Sequence, residues 1–240
     1  MIETRVTKLL GIKYPILSAT MRNIAEARLV AAVSNAGGLG ILHPKDTPRE
    51  MREEVRKTKS LTDKPFGVHL AFSEEPQWYY ERVAPFVEEG VKIVLTTRRI
   101  PESCAKVIRD SGLKWIHHCA RVRDARTAER MGADAVSIIG DGAAGNAGIT
   151  EDVSTMVRLP ATVDAVKIPV IAAGGIADAR GFVATLALGA EGVMMGTRFA
   201  CTKESIMHPD SKKLMIESPE NATIVIPRPW TTEKIGNSYV

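Results

Sequence analysis

A (β/α)8 TIM barrel is the fold this sequence predicts, on three observations. The chain has 240 residues, 45% of them apolar, close to the roughly 250 residues typical of that fold and enough to fill one large core. Short apolar runs without polar alternation recur along it, as expected of parallel strands covered on both faces. The stretch Pro169 to Phe199 reads as a complete βαβ unit: strand Pro169 to Ala172, glycine turn Gly174-Gly175, helix Asp178 to Leu188, strand Gly192 to Met195. Its glycines fall just past strand C-termini, where backbone N–H groups can approach an anion with no Cβ in the way. The loops after the last two strands of such a barrel often form a phosphate site.

Six further units precede this one. Tyr14 to Leu17 is the first strand, and Asn23 is the predicted N-cap of a helix whose inner positions are Ile24, Ala27, Val30, Ala31 and Ser34. Asn35-Ala36-Gly37-Gly38 stops that helix and Leu39 to Leu42 is the second strand. Gly37, Gly38 and Gly40 read as a tight helix-to-strand turn on the end of the barrel away from catalysis. Thr47-Pro48-Arg49-Glu50 carries the cap and first-turn proline of a charged helix. In the third strand, Pro65 to Leu70, Phe66, Val68 and Leu70 share one face. That bulky set suits the helix layer, so His69 is expected to point into the barrel near its top; a structural histidine bonded to a neighbouring strand is the alternative.

Glu75 to Glu89 is a helix, Val91 to Leu95 the fourth strand, and Thr96-Thr97-Arg98-Arg99 its exit loop. Arg98 and Arg99 could clamp a carboxylate or phosphate, or be simply solvated. Ser103 to Ser111 is helical and Lys114 to His117 is the fifth strand, so one of His117 and His118 should face inward. Neutral imidazole suits acid–base work there, while Cys119 reads equally as packing. Val122 to Met131 is a helix and Ala135 to Ile138 the sixth strand. The glycine-alanine loop Gly140 to Gly148 follows, best explained by a ligand lying along its backbone. Val153 to Val166 is the helix that leads into the opening unit. The domain division expected is a barrel over residues 1–200 and a short extension over 201–240, with no large lid.

The excess of 32 Lys+Arg over 28 Asp+Glu is small and has no basic tract, so nucleic-acid binding is not indicated. Cys104, Cys119 and Cys201 are odd in number and far apart, which points to neither a disulfide framework nor a metal site. MIETRVTKLLG has no apolar leader core and no segment reaches membrane-spanning length, so a cytoplasmic protein without membrane contact is expected.

Taken as a linked set, YPIL…M…LVAAVSNAGGLGIL, LTDKPFGVHL, GADAVSIIGDGAAGNAG, IPVIAAGGIAD and GAEGVMMGTRF resemble the nitronate monooxygenase family, formerly called 2-nitropropane dioxygenases, and the related FMN-dependent enoyl-ACP reductase II. The resemblance runs from Tyr14 to Phe199. It implies FMN at the C-terminal face of the barrel, with its phosphate on Gly174-Gly175-Ile176 and Gly196-Thr197 and with Met21 passing over the flavin ring. The wider flavin-contacting set it implies adds Ala19, Thr20, His69, Gly145 and Met195.

The sequence departs from the family pattern at several of these positions. The family loop after the sixth strand reads roughly E-A-G-G-H-x-G, with a histidine as the expected base; here Asn146 stands in its place and Gly142 replaces the acid. An amide hydrogen-bonds but takes no proton at neutral pH. His69 stands where the family usually has Asn, and His117 matches a histidine of part of the family. Ser18-Ala19-Thr20-Met21 replaces a glycine-rich first loop.

The resulting expectation is an FMN-dependent oxidoreductase acting on a small or acyl-type, anionic substrate. NAD(P)H or O2 would be co-substrate, the candidate catalytic residues are His69, His117 and Asn146, and the assembly would be a homodimer. The alternatives are an enoyl reductase, dehydrogenase or isomerase acting beside a carbonyl, and a flavin-binding subunit without the family's catalysis. A barrel resembling IMP dehydrogenase would need a nucleophilic cysteine within Gly140 to Gly148, and none is present.

Overall fold

The computed structural model describes residues 2–73, 75–140, 153–219, 222, 225–226 and 238–239. The strands of the main sheet are β1 Ile16–Ser18, β2 Gly40–Leu42, β3 Phe66–Leu70, β4 Ile93–Thr97, β5 Lys114–Cys119, β6 Ala135–Ile139, β7 Val170–Ala173 and β8 Gly192–Met195. They pair in parallel in the order β1-β8-β7-β6-β5-β4-β3-β2. Ser18 N–H to Leu39 O and Leu39 N–H to Ile16 O, both 2.9 Å, bring β1 against the start of β2 and close the ring. The (β/α)8 barrel is thus as expected. Its helices are α1 Arg5–Leu10, α2 Ala27–Asn35, α3 Pro48–Leu61, α4 Pro76–Glu88, α5 Glu102–Asp110, α6 Val122–Arg130, α7 Thr155–Val163, α8 Ala179–Ala187, the single turn α9 Thr197–Ala200, and α10 Pro209–Glu217. Val225–Ile226 (β9) and Ser238–Tyr239 (β10) pair antiparallel. Among the described residues no helix is long and apolar enough to cross a membrane.

Two apolar clusters follow from strand alternation. Leu17, Leu39, Ile41, Ile93, Leu95, Ile116, Ile171 and Met194 fill the interior. Phe66, Val68, Leu70, Val94, Trp115, Val136 and Val193 face the helices, where Met51, Tyr79, Val83 and Leu159 pack on them. Each such side chain contributes about 1.5–3 kcal/mol by leaving water. The sequence reading missed α1. It plugs the bottom of the barrel, with Val6, Leu10 and Ile12 in the interior cluster. Arg5 fixes it by donating from Nε to Glu191 at 2.9 Å and from Nη1 to the Lys167 carbonyl at 2.7 Å.

Thr47 and Glu50 form the anticipated capping box at the start of α3. Asn23 does not cap α2. It sits at φ 56 in the first loop, and the helix begins at Ala27, whose N–H is taken by the buried Glu54 carboxylate of α3 at 2.6 Å. A tertiary acceptor replaces the local one. Strands β4 and β5 each run two residues further than the sequence predicts, to Thr97 and Cys119, because the ladder pairs Thr96 with His117 and Thr97 with His118. Gly40 is where α2 presses on β2: an added Cβ would lie 2.7 Å from Val30 Cα and closer still to the Val30 carbonyl. Backbone on both sides leaves no room to yield, so Gly40→Ala should cost about 3 kcal/mol or more, read as a drop in the denaturant midpoint with an unchanged slope.

Candidate active site

Alternation carries the inward positions from the packed interior to the C-terminal mouth. After Leu39 and Ile41 the next inward position is His43; beyond Gly67 it is His69; beyond Leu95, Thr97; beyond Ile116, His118; and beyond Ala135, Ser137. The sequence expectation for His69 holds: Phe66, Val68 and Leu70 lie in the helix-facing cluster and His69 on the other face. A hydroxyl and imidazole network joins these groups. Thr20 Oγ1 lies 3.2 Å from His43 Nδ1 and 3.4 Å from His69 Nδ1, and His69 Nε2 lies 3.1 Å from Thr97 Oγ1. On the far side His118 Nδ1 lies 2.9 Å from Ser137 Oγ. Among the described residues His43 Nε2 and His118 Nε2 have no hydrogen-bond partner.

All three rings are neutral at pH 7. Burial, with Arg22 and Lys45 adding to it, lowers His43 from 6.5 to about 4. Burial, then His43, His118 and Arg98, lowers His69 to about 3, and burial lowers His118 to about 4. Each ring therefore presents one N–H donor and one lone pair rather than a charge.

His117 does not reach the mouth. It shares the helix-facing side of β5 with Trp115, the two rings 6.4 Å apart and edge to face. Its Nδ1 lies 2.9 Å from Thr96 Oγ1, which also accepts from Trp115 Nε1 at 2.7 Å. The inward member of the pair is His118, because Ile116 is inward and β5 continues without a break. Cys119 packs in the outer cluster, where burial pushes its thiol up. The Met195 side chain likewise packs on the helix-facing cluster, leaving its carbonyl, which accepts from Ala19 N–H at 2.8 Å, as its link to the first loop. Gly145 and Asn146 lie outside the described residues. Sequence reasoning missed His43, whose signal was its parity with Leu39 and Ile41.

The glycine-rich side is built as the turns predicted. Gly174 and Gly175 adopt φ 91 and 71, open to glycine but unfavourable for other residues. Ala173 pairs with Met194 at the ends of β7 and β8, so the two exit loops start side by side. Among the described residues nothing accepts from the backbone N–H groups of Gly174, Gly175, Ile176, Gly196 or Thr197. A Cβ on Gly175 would meet nothing within 4 Å, and one on Gly196 would touch Met21 Sδ at 3.8 Å. The first loop, Ala19 to Met21, thus borders the same donors.

A cavity of about 550 Å³ opens beside the histidines, over β2, β3 and β4. Its floor is His43, His69 and Thr97, its apolar wall includes Met51, Phe72, Trp78 and Phe86, and Arg22, Lys45, Arg82 and Arg98 supply positive charge. Lys45 is paired with Glu26 at 2.5 Å. Arg82 donates to the Lys45 and Asp46 carbonyls and lies 5.1 Å over the Trp78 ring. Arg22 and Arg98 are exposed and form no ion pair among the described residues. Arg98 takes φ 67, an uncommon conformation for a side-chain-bearing residue. Arg99 is exposed but does not line the cavity.

The sequence model of the nitronate monooxygenase family matches residues 3–78 and 70–233. The (3aS,4S,5R,7aS)-5-hydroxy-7a-methyl-1-oxo-octahydro-1H-indene-4-carboxyl-CoA dehydrogenase of Rhodococcus jostii is 39% identical over 215 residues, covering 88% of this chain and 59% of that protein. The chain thus spans about three fifths of that relative's length. A probable nitronate monooxygenase of Staphylococcus saprophyticus is 34% identical over 93% of this chain and 75% of its own. Among solved structures, FabK of Thermotoga maritima superposes with a TM-score of 0.87 at 39% identity, covering 94% of this chain and 71% of FabK.

Proposed function

The chain belongs to the nitronate monooxygenase family, and on that premise we propose that it is an FMN-dependent oxidoreductase that adds or removes hydrogen beside the carbonyl of an anionic acyl substrate. The observation that carries the reading is the juxtaposition of neutral imidazoles, His43 and His69, with a cavity they line and whose arginines Arg22 and Arg98 have no acidic partner among the described residues. A similar CoA thioester dehydrogenase among the relatives supports an acyl thioester as the class tested first.

The residues present fit FMN. Unpaired backbone donors at Gly174-Gly175-Ile176 and Gly196-Thr197 suit its phosphate, and the Ala19-Thr20-Met21 loop lies beside them. Bound there, FMN supplies the electron chemistry. The chain's own residues do the rest. Arg98 and Arg22 would hold the substrate's anionic end. A neutral imidazole N–H of His118 would polarise the carbonyl, and the His69 side would exchange the proton. Asn146, an amide in the family's histidine position, would orient by hydrogen bonds without taking a proton.

The test is reconstitution with FMN followed by anaerobic challenge. An acyl-CoA carrying a neighbouring hydroxyl, or NAD(P)H followed by an enoyl-CoA, should bleach or restore the flavin absorbance. Arg98→Ala should raise KM about tenfold, in a salt-dependent way, with kcat nearly unchanged. The family's nitronate chemistry is the second reading, supported by the similar probable nitronate monooxygenase; oxygen uptake on a nitronate but no response to thioesters would favour it. Flavin that binds and responds to none of these would leave the chain as a flavin-holding subunit.

A further inference from the structure

We infer that Thr20 is a proton bridge between His43 and His69, so that the two rings and the Thr97 hydroxyl form a wire along the cavity floor, from His43 to Thr97. The inference rests on hydrogen-bond counting. One hydroxyl has a single proton to donate, and Thr20 Oγ1 faces two ring nitrogens of the same kind, Nδ1 of His43 at 3.2 Å and Nδ1 of His69 at 3.4 Å. It can donate to one only, so the other ring must carry its proton on Nδ1 and donate back. The two histidines are therefore held in opposite tautomers.

Two arrangements satisfy this. In the first, His43 Nδ1–H donates to Thr20, Thr20 donates to His69 Nδ1, and His69 Nε2–H donates to Thr97 at 3.1 Å. In the second every donor is reversed. The first becomes the second when His43 Nε2 takes a proton from one side of the cavity: its Nδ1 proton passes to Thr20, the Thr20 proton to His69 Nδ1, the His69 Nε2 proton to Thr97, and the original Thr97 proton leaves on the side of β4. One N–H forms at the His43 end, one O–H breaks at the Thr97 end, and no charge remains on the wire.

Both ends are open to this exchange, since His43 and Thr97 line the cavity and His43 Nε2 has no partner among the described residues. Burial first, then Arg22 and Lys45 against the opposing Glu26 and Asp46 at His43, and His43, His118 and Arg98 at His69, disfavour a stored proton on either ring, so the wire passes protons rather than holding them. The inference deepens the oxidoreductase reading by naming its proton path.

The decisive measurement is the tautomer of each ring in flavin-free protein at pH 7, from long-range 15N–1H correlations assigned with His43→Gln and His69→Gln. His43 and His69 should share one Nδ1 proton between them, in either arrangement or in exchange between the two. Thr20→Ser should keep this pattern, and Thr20→Val, isosteric without the hydroxyl, should return both rings to Nε2–H. Two Nε2–H rings in the unaltered protein would overturn the bridge. In the reconstituted enzyme Thr20→Val should lower kcat about 10- to 100-fold and alter its pH profile, with Thr20→Ser restoring both; an unchanged kcat and profile in Thr20→Val would overturn the wire. Complementary tautomers in a protein that turns over no thioester would instead sink the acyl-substrate reading and leave the bridge standing.

Discussion

Flavin-free protein should take up between three and four protons on unfolding at pH 5.5, and its melting temperature should fall steeply as the pH drops from 6.5 towards 4. His43, His69, His117 and His118 are held near 4, 3, 3 and 4, in each case chiefly by burial, whereas the unfolded chain binds the same protons near 6.5. Across that interval the unfolded state holds more protons, so stability rises with pH. Above about pH 6.5 both states are neutral and the contribution is fully present. With four sites engaged the slope approaches about 5 kcal/mol per pH unit, against a total stability on the order of 5–15 kcal/mol for a domain. Unfolding should therefore begin before the carboxylates, which titrate near 4 in the unfolded chain, contribute much. Calorimetry against pH, with proton uptake from the buffer dependence of the enthalpy, measures it. A melting temperature flat between pH 7.5 and 5 would mean that these rings are charged or solvated. Replacing His117 with Gln should remove one proton from the uptake, because that ring is locked behind the sheet by Thr96 and Trp115.

The barrel was legible in the sequence because its signals are local and redundant. Strands buried on both faces read as apolar runs, glycines mark the turns, and Thr47-Pro48 announces its own helix. The direction of His69 was legible for a related reason: β3 has Phe66, Val68 and Leu70 on one side and only Gly67 and His69 on the other. β5 offers no such contrast. One of its faces carries Lys114, Ile116 and His118 and the other Trp115, His117 and Cys119. Each has an apolar residue and a histidine, so the inward member of the pair depends on register against β4 and β6, a tertiary quantity. His43 was hidden differently, since His43-Pro44-Lys45-Asp46 reads as a turn even though its parity continues that of Leu39 and Ile41. The α1 plug was hidden by Arg5 and Lys8, whose charges mask the buried Val6 and Leu10. Asn23 failed as a cap because its competitor, Glu54, comes from another helix.

That register decides the second large effect. His118→Gln should lower kcat of the reconstituted enzyme about 100-fold or more, the range expected for a group that donates to or exchanges protons with the reacting atoms. His117→Gln should leave kcat within a few-fold of the parent. The two changes are chemically identical and one residue apart, so generic damage to β5 would strike both. They differ only in the side of the sheet they reach: His118 has Ser137 at 2.9 Å and an Nε2 without a partner among the described residues, while His117 completes a hydrogen-bond group under the helices. The stability effects should run the other way. Losing the His117 imidazole strands Thr96 and part of the Trp115 network in a dry layer, which costs about 1–3 kcal/mol, whereas His118 stands at a partly open edge and its loss should cost less. A kcat that collapses in His117→Gln but survives in His118→Gln would place the reacting atoms away from the barrel axis. A kcat unchanged in both would remove imidazole at β5 from the chemistry and leave the Thr20, His43 and His69 side of the mouth to supply it.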